Sequence, residues 1–133
     1  MAKPRPLIID CDTGRDDALA IWLALAMDLP LVGVVTSYGN TVLGNVTDNT
    51  ARVLALAGRE DIRLMPGAAE PSQIHRGFTD TVLSRQAISG NGLCNLDFPP
   101  YSRPLPEPLT PAELAGAVSE LAAEHGPLEY VII

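Results

Sequence analysis

The sequence predicts an α/β fold: an open, mostly parallel sheet with helices on both faces. Three observations lead there. Short apolar runs alternate with longer Ala- and Leu-rich stretches, the short runs are apolar at nearly every position, and Gly or Pro marks most boundaries. Strands that alternate with helices pair in parallel, and strands buried on both faces lose the polar alternation of a half-exposed one.

Each element follows from its residues. PLIID (6–10) is a short buried strand, and DDALAIWLALAMD (16–28) is a helix apolar all round, expected to pack deeply with Trp22 and Met27 in the core and to close at Pro30. LVGVVTSYG (31–39) has the β-branched content of a second strand, ended by the turn pair Gly39-Asn40. A second helix covers VTDNTARVLALAG (46–58) with Gly58 just beyond its end, and IRLMPG (62–67) is a third, weaker strand. Residues 68–110 carry no periodicity, and PPYSRPLPEPLTP (99–111) holds six prolines, so it runs extended or turning over the surface. Thr110, Pro111 and Glu113 form a capping box for AELAGAVSELAAEH, which stops at Gly126-Pro127, and LEYVII (128–133) is the fourth strand. The pattern is that of a Rossmann-like sheet.

The totals narrow the function. A chain of 133 residues has room for one domain, and 47% apolar with 19% charged residues describes a globular protein. The net charge of −7 argues against nucleic acid or an anionic membrane as partner and suits cations or neutral small molecules. Cys11 reads as buried in the first strand and Cys94 as a loop residue, with no disulfide framework, which fits a reducing compartment. No signal-peptide core or membrane-length apolar run occurs, so a cytoplasmic location is expected. LEYVII ends on an apolar run, which suggests the front part of something longer, a truncated sheet.

The chemistry concentrates in IIDCDTGRDD (8–17), where Asp10, Asp12, Asp16 and Asp17 follow the first strand. A lone DD pair at a helix start is ordinary capping, worth about 0.3–1 kcal/mol. Four carboxylates exceed that need and repel one another unless water or a cation neutralises them. Oxygen donors of high charge select a hard ion, calcium or magnesium. Such an ion lowers the pKa of a bound water, and a neighbouring Asp can take its proton. In a parallel sheet, ligands bind beyond the carboxyl ends of the strands, which is where both this cluster and Gly39-Asn40 fall.

DCDTGRDDALA, then VVTSYGNT and NVTDNTARVLALAG, resembles the start of the inosine–uridine type of nucleoside hydrolase, whose opening signature is DxDPGxDDAxA. The likeness continues through GAAEP (67–71), the NGL loop at 91–93 and the last helix and strand, so residues 1–133 resemble the N-terminal part of one hydrolase domain. The resemblance implies calcium-dependent hydrolysis of the N-glycosidic bond of ribonucleosides, giving ribose and free base, by a dimer or tetramer. It implies that Asp12 is a calcium ligand and the general base, and that Asp17 binds calcium through both oxygens. Asp16 is expected to accept a hydrogen bond from a ribose hydroxyl, Asn40 to line the ribose pocket, and Asp10 to support the cluster beside the metal. Thr13 stands where the family usually has Pro, and Ser89-Gly90 where it often has His-Gly. The family's later ligands, a main-chain oxygen and a further Asp, lie in a part this sequence does not contain.

Two rival readings follow from the same residues. IIDCDTG approaches the opening of a haloacid-dehalogenase-like magnesium phosphatase, although Gly14 replaces the Thr or Val of that motif. The other rival is a non-catalytic remnant. His75 reads as a solvated loop residue, Arg15 equally well as a solvated turn residue or the partner of a carboxylate, and Tyr38 as ordinary packing beside the pocket edge ahead of stacking on a base.

Overall fold

The computed structural model describes residues 4–70 and 90–133. Among the described residues seven elements follow in order: β1 (Leu7–Cys11), α1 (Arg15–Ala26), β2 (Leu31–Thr36), α2 (Leu43–Leu56), β3 (Arg63–Pro66), α3 (Pro111–His125) and β4 (Glu129–Ile132). The four strands form one parallel sheet in the order β3-β2-β1-β4.

The chain steps from β1 to β2 to β3 in one direction and then returns past β1 to β4. Right-handed crossovers therefore put α1 and α2 on one face and α3 on the other. Strand alternation fills both faces. Ile9, Cys11 and Val34 enter the larger core with Ala18, Ile21 and Leu54, whereas Ile8, Val35 and Met65 meet Ala117 and Leu121 of α3. Gly33 leaves room on the α3 face, because a Cβ there would meet Leu121 Cδ1 at 3.1 Å. The direction reverses at β1, so the crevice beyond the carboxyl ends of β1 and its neighbours is the expected ligand position.

Several boundaries differ from the sequence reading. α1 ends at Ala26, because Asp28 takes the left-handed conformation (φ 54°) and Leu29 N donates to Ala24 O at 3.0 Å. This six-to-one bond closes the helix ahead of Pro30. β2 stops at Thr36, and α2 begins at Leu43, earlier than expected. Gly58 adopts φ 67° directly after the C-cap of α2. The capping box is present: Thr110 Oγ1 accepts from Glu113 N at 3.3 Å, and Thr110 N donates to Glu113 Oε2 at 2.8 Å. Residues 99–110 contain no helix or strand, and Leu109 N ties this stretch to β3 by donating to Pro66 O at 2.8 Å.

α1 is not buried all round. Ala18, Ile21 and Ala24 face the core, while Leu19, Leu23 and Met27 lie on the opposite stripe at 60–63% exposure. The expectation of a core Met27 is thus corrected: its position eight residues after Leu19 puts it on the outward side. Trp22 does pack against the core, its Nε1 donating to Val53 O at 3.0 Å and its ring set edge-on to Phe98. β4 is also more open than a buried strand, with Tyr130, Val131, Ile132 and Ile133 all exposed, since it forms an edge of the sheet.

This asymmetry of α1 sets an expected result. In this chain, Ile21→Ala lowers unfolding free energy by about 2–5 kcal/mol, while Leu23→Ala changes it by no more than about 0.5 kcal/mol. Urea denaturation of the two variants measures the contrast.

Candidate active site

β1 and β2 run in register to their last residues, Cys11 opposite Thr36, and Ser37 N donates to Cys11 O at 3.1 Å. The turns that follow the two strands therefore start side by side. One carries Asp12, Asp16 and Asp17; the other carries Gly39 and Asn40. This common starting level makes the site.

Asn40 joins the two turns. Its main-chain N–H donates to Asp12 Oδ2 at 2.7 Å, and its Nδ2 donates to Asp12 Oδ1 at 3.1 Å and, at 3.5 Å, to Asp17 Oδ2. Two carboxylates thus converge on one amide. The approach depends on two glycines. A Cβ at Gly39 would strike the Asp12 carboxylate, and one at Gly14 would strike the Asn40 side chain.

Asp17 has a second task. Its Oδ2 accepts from Gly14 N at 2.8 Å, the contact of an N3 acidic residue reaching back to the N-cap of α1. Capping, the ordinary reading of a DD pair, is therefore real for Asp17. It is also buried, at 4% exposure. Burial raises its pKa above the usual carboxylate value, the Gly14 N–H opposes that, and Asp12 and Asp16 add to it. A buried acid held among like charges is poised to gain from a cation.

Asp16 is exposed next to this pair. Asp10 stands apart. Strand alternation turns it toward the face of Ile8, away from Cys11, and it accepts a 2.8 Å hydrogen bond from Tyr130 Oη on β4. Burial raises the Asp10 pKa while the Tyr130 hydroxyl lowers it. The sequence expectation of Asp10 beside the metal thus meets a different immediate partner. Among the described residues, no group of three or more His, Cys, Asp or Glu side chains gathers closely enough to hold a metal ion. The structure brings together Asp12, Asp17 and Asn40, and not Asp10.

The remaining expectations divide as follows. Cys11 is buried and Cys94 exposed, both as free thiols, and burial pushes the Cys11 thiol up to about 12. Arg15 and Tyr38 are exposed. His75, Ser89 and the end of the GAAEP stretch lie outside the described residues. Two apolar grooves, one along β1 and β4 (Leu7, Ile9, Val131) and one between α2 and the proline-rich segment (Leu43, Pro66, Pro106), contain none of the site carboxylates.

Sequence reading missed the polar side chains of α2 that face inward. Thr47, Asn49 and Thr50 are all at most 3% exposed. Thr47 pairs with Thr36 at 3.0 Å, and Thr50 Oγ1 lies 2.6 Å from Thr13 Oγ1. Their signal was available: they share the buried stripe of Val46, Val53 and Leu54, where polar residues need partners.

Fold and turn define an α/β protein with a carboxylate-and-amide site at the carboxyl ends of two neighbouring strands of a parallel sheet. Residues 7–133 match the inosine-uridine preferring nucleoside hydrolases, and the chain belongs to that family. It is 35% identical over 127 residues to the pyrimidine-specific ribonucleoside hydrolase RihA of Shewanella oneidensis, covering 95% of this chain and 37% of that protein. It is 37% identical over 141 aligned positions to RihA of Photobacterium profundum, covering 97% of this chain and 42% of that protein. Among solved structures, the purine-preferring ribonucleoside hydrolase from Gardnerella vaginalis superposes with a TM-score of 0.77 at 25% identity, covering 96% of this chain and 40% of that one. The chain thus spans well under half the length of these relatives. The family match decides against the phosphatase reading.

Two results are expected here. Gly39→Ala forces Asp12 off Asn40 and destabilises the fold, seen as a lowered melting temperature and loss of the Asn40 N–H protection. For Asp17 the raised folded pKa means the native state binds more protons than the unfolded chain. Its share of stability is therefore full below about pH 3.9 and is lost as pH rises through the raised folded value. Asp17→Asn removes that loss, so with a chelator present the variant melts higher than wild type at pH 7 and the two converge in acid.

Proposed function

We propose that these residues form the cation- and ribose-binding portion of a calcium-dependent ribonucleoside hydrolase, which splits the N-glycosidic bond to release ribose and free base. The observation that carries this reading is the convergence of Asp12 and Asp17 on Asn40 at the carboxyl end of β1. The donors are all oxygen, and two close carboxylates share one neutral amide, which fits a hard cation in chemistry and in charge. Calcium takes about six to eight oxygens, so Asp12 and Asp17 supply part of its shell. Water, substrate and further protein oxygens supply the rest.

Asp12 and Asp17 would hold the ion, which when bound acidifies a water and orients the sugar. Asp12 then removes the proton from the attacking water as it meets the anomeric carbon. Asp16, exposed beside the pair, accepts a hydrogen bond from a ribose hydroxyl. Both Nδ2 hydrogens of Asn40 are directed at Asp12 and Asp17, so its contact with ribose falls to Oδ1. Asp10 acts from outside the pair, fixed by Tyr130.

Pyrimidine-specific and purine-preferring relatives both match this stretch. That supports placing cation and ribose chemistry here and base selection elsewhere. The reading also takes the complete enzyme to be a cytoplasmic homodimer or homotetramer with no nucleic-acid or membrane partner. The net charge of −7 favours a cation or a neutral small molecule over nucleic acid as ligand.

In the intact protein, Asp12→Ala and Asp17→Ala each lower release of free base from uridine or inosine by at least about 100-fold. Treatment with a calcium chelator does the same and is reversed by added calcium. Wild-type turnover in Asp12→Ala overturns the assignment. Wild-type protein that releases no base under any calcium concentration favours the non-catalytic reading.

A further inference from the structure

The carboxylate turn is held from behind by α2. Asn49 is 1% exposed, and its Nδ2 donates to Thr13 O at 3.2 Å and to Asn91 O at 2.7 Å. An amide nitrogen has two hydrogens, and both are engaged. One goes to the residue between Asp12 and Gly14. The other goes to a loop 42 residues further along the chain.

That loop is itself fixed. Asn91 Oδ1 accepts from Leu93 N at 3.0 Å and Asn95 N at 2.9 Å, and Leu93 is buried in the larger core. Cys94 and Asn95 both adopt left-handed backbone (φ 55° and 53°), a conformation that costs free energy for residues with a Cβ. One residue beyond Asn49, Thr50 donates to Val46 O at 2.9 Å. The Thr50 hydroxyl also shares a 2.6 Å hydrogen bond with the Thr13 hydroxyl. Thr13 is thus tied to α2 through both its carbonyl and its side chain. Proline at position 13 could not make the second tie.

We propose that Asn49 is a positioning residue that clasps the Asp12–Asp17 turn to the 91–95 loop behind it, so that the turn keeps a fixed position. The purpose of the clasp rests on the hydrolase reading, whereas its mechanical effect does not. A side chain that merely filled space would need neither bond. With both bonds made, loosening the loop loosens the turn.

The test uses Asn49→Ser in the intact protein, with amide hydrogen exchange and calcium titration as readouts. The clasp predicts that exchange rises in residues 12–17 and 91–95 together, while β2 and β3 keep their protection. It also predicts that calcium affinity falls about 10- to 100-fold. Loosening of only one segment, or of both with calcium affinity unchanged, overturns the positioning role. If the variant does not fold, denaturant-dependent exchange of the wild type decides. Equal opening free energies and slopes for the two segments support the clasp, and separate openings overturn it. If the wild type takes up no calcium, the hydrolase reading fails by itself, and joint or separate opening still decides the clasp.

Discussion

The structure depends on two neighbouring parallel strands ending level. Because Cys11 and Thr36 are partners, the turn after β1 and the turn after β2 begin in contact, and Asn40 can reach both Asp12 and Asp17. The arrangement is electrostatically unfavourable by itself. Asp17 is buried near Asp12 and Asp16, and its raised pKa records the strain of keeping charge there. A protein selected for stability alone would place a neutral residue at that position. Keeping the carboxylate is the usual mark of a site whose ligand supplies the missing charge.

The surrounding architecture serves this pair. Burial on both faces makes β1 and β2 rigid, with α3 behind Ile8 and Val35 and the α1–α2 layer behind Ile9 and Val34. α2 contributes packing and also inward polar groups, each satisfied, since no buried side-chain N or O among the described residues lacks a partner. Cover thins away from this centre. The outward stripe of α1 and the whole of β4 leave large apolar side chains exposed. The site and the best-packed strands coincide, which suits groups that must be held within a fraction of an ångström.

Much of this was legible in the sequence, for physical reasons that differ by element. The strands announced themselves because residues buried on both faces must be apolar throughout, as in LIIDC and LVGVVT. Thr110, Pro111 and Glu113 located α3 because a capping box uses specific atoms at specific spacing. The end of α1 was missed because Asp28 supplied the left-handed residue that glycine usually provides. Met27 was misplaced because an all-apolar helix does not say which side faces the core. The carboxylate cluster was visible as a group, yet its internal division was not. Asp10 lies inside β1 and faces Tyr130, whereas Asp12 lies beyond the strand's end at Cys11, in the turn that meets Asn40, and sequence spacing does not show where the strand stops. The burial of Asn49 could be read from its place on the apolar stripe of α2, but its partners could not, because they are backbone carbonyls 36 and 42 residues away and main-chain acceptors leave no trace in side-chain pattern.

The most direct test of the central claim is isothermal titration of calcium into the metal-free protein at neutral pH. The account predicts saturable uptake of one ion per chain, abolished by Asp17→Asn, in which the buried charge is removed and the shape kept. Absence of saturable uptake in the intact wild type, or undiminished uptake in Asp17→Asn, contradicts it.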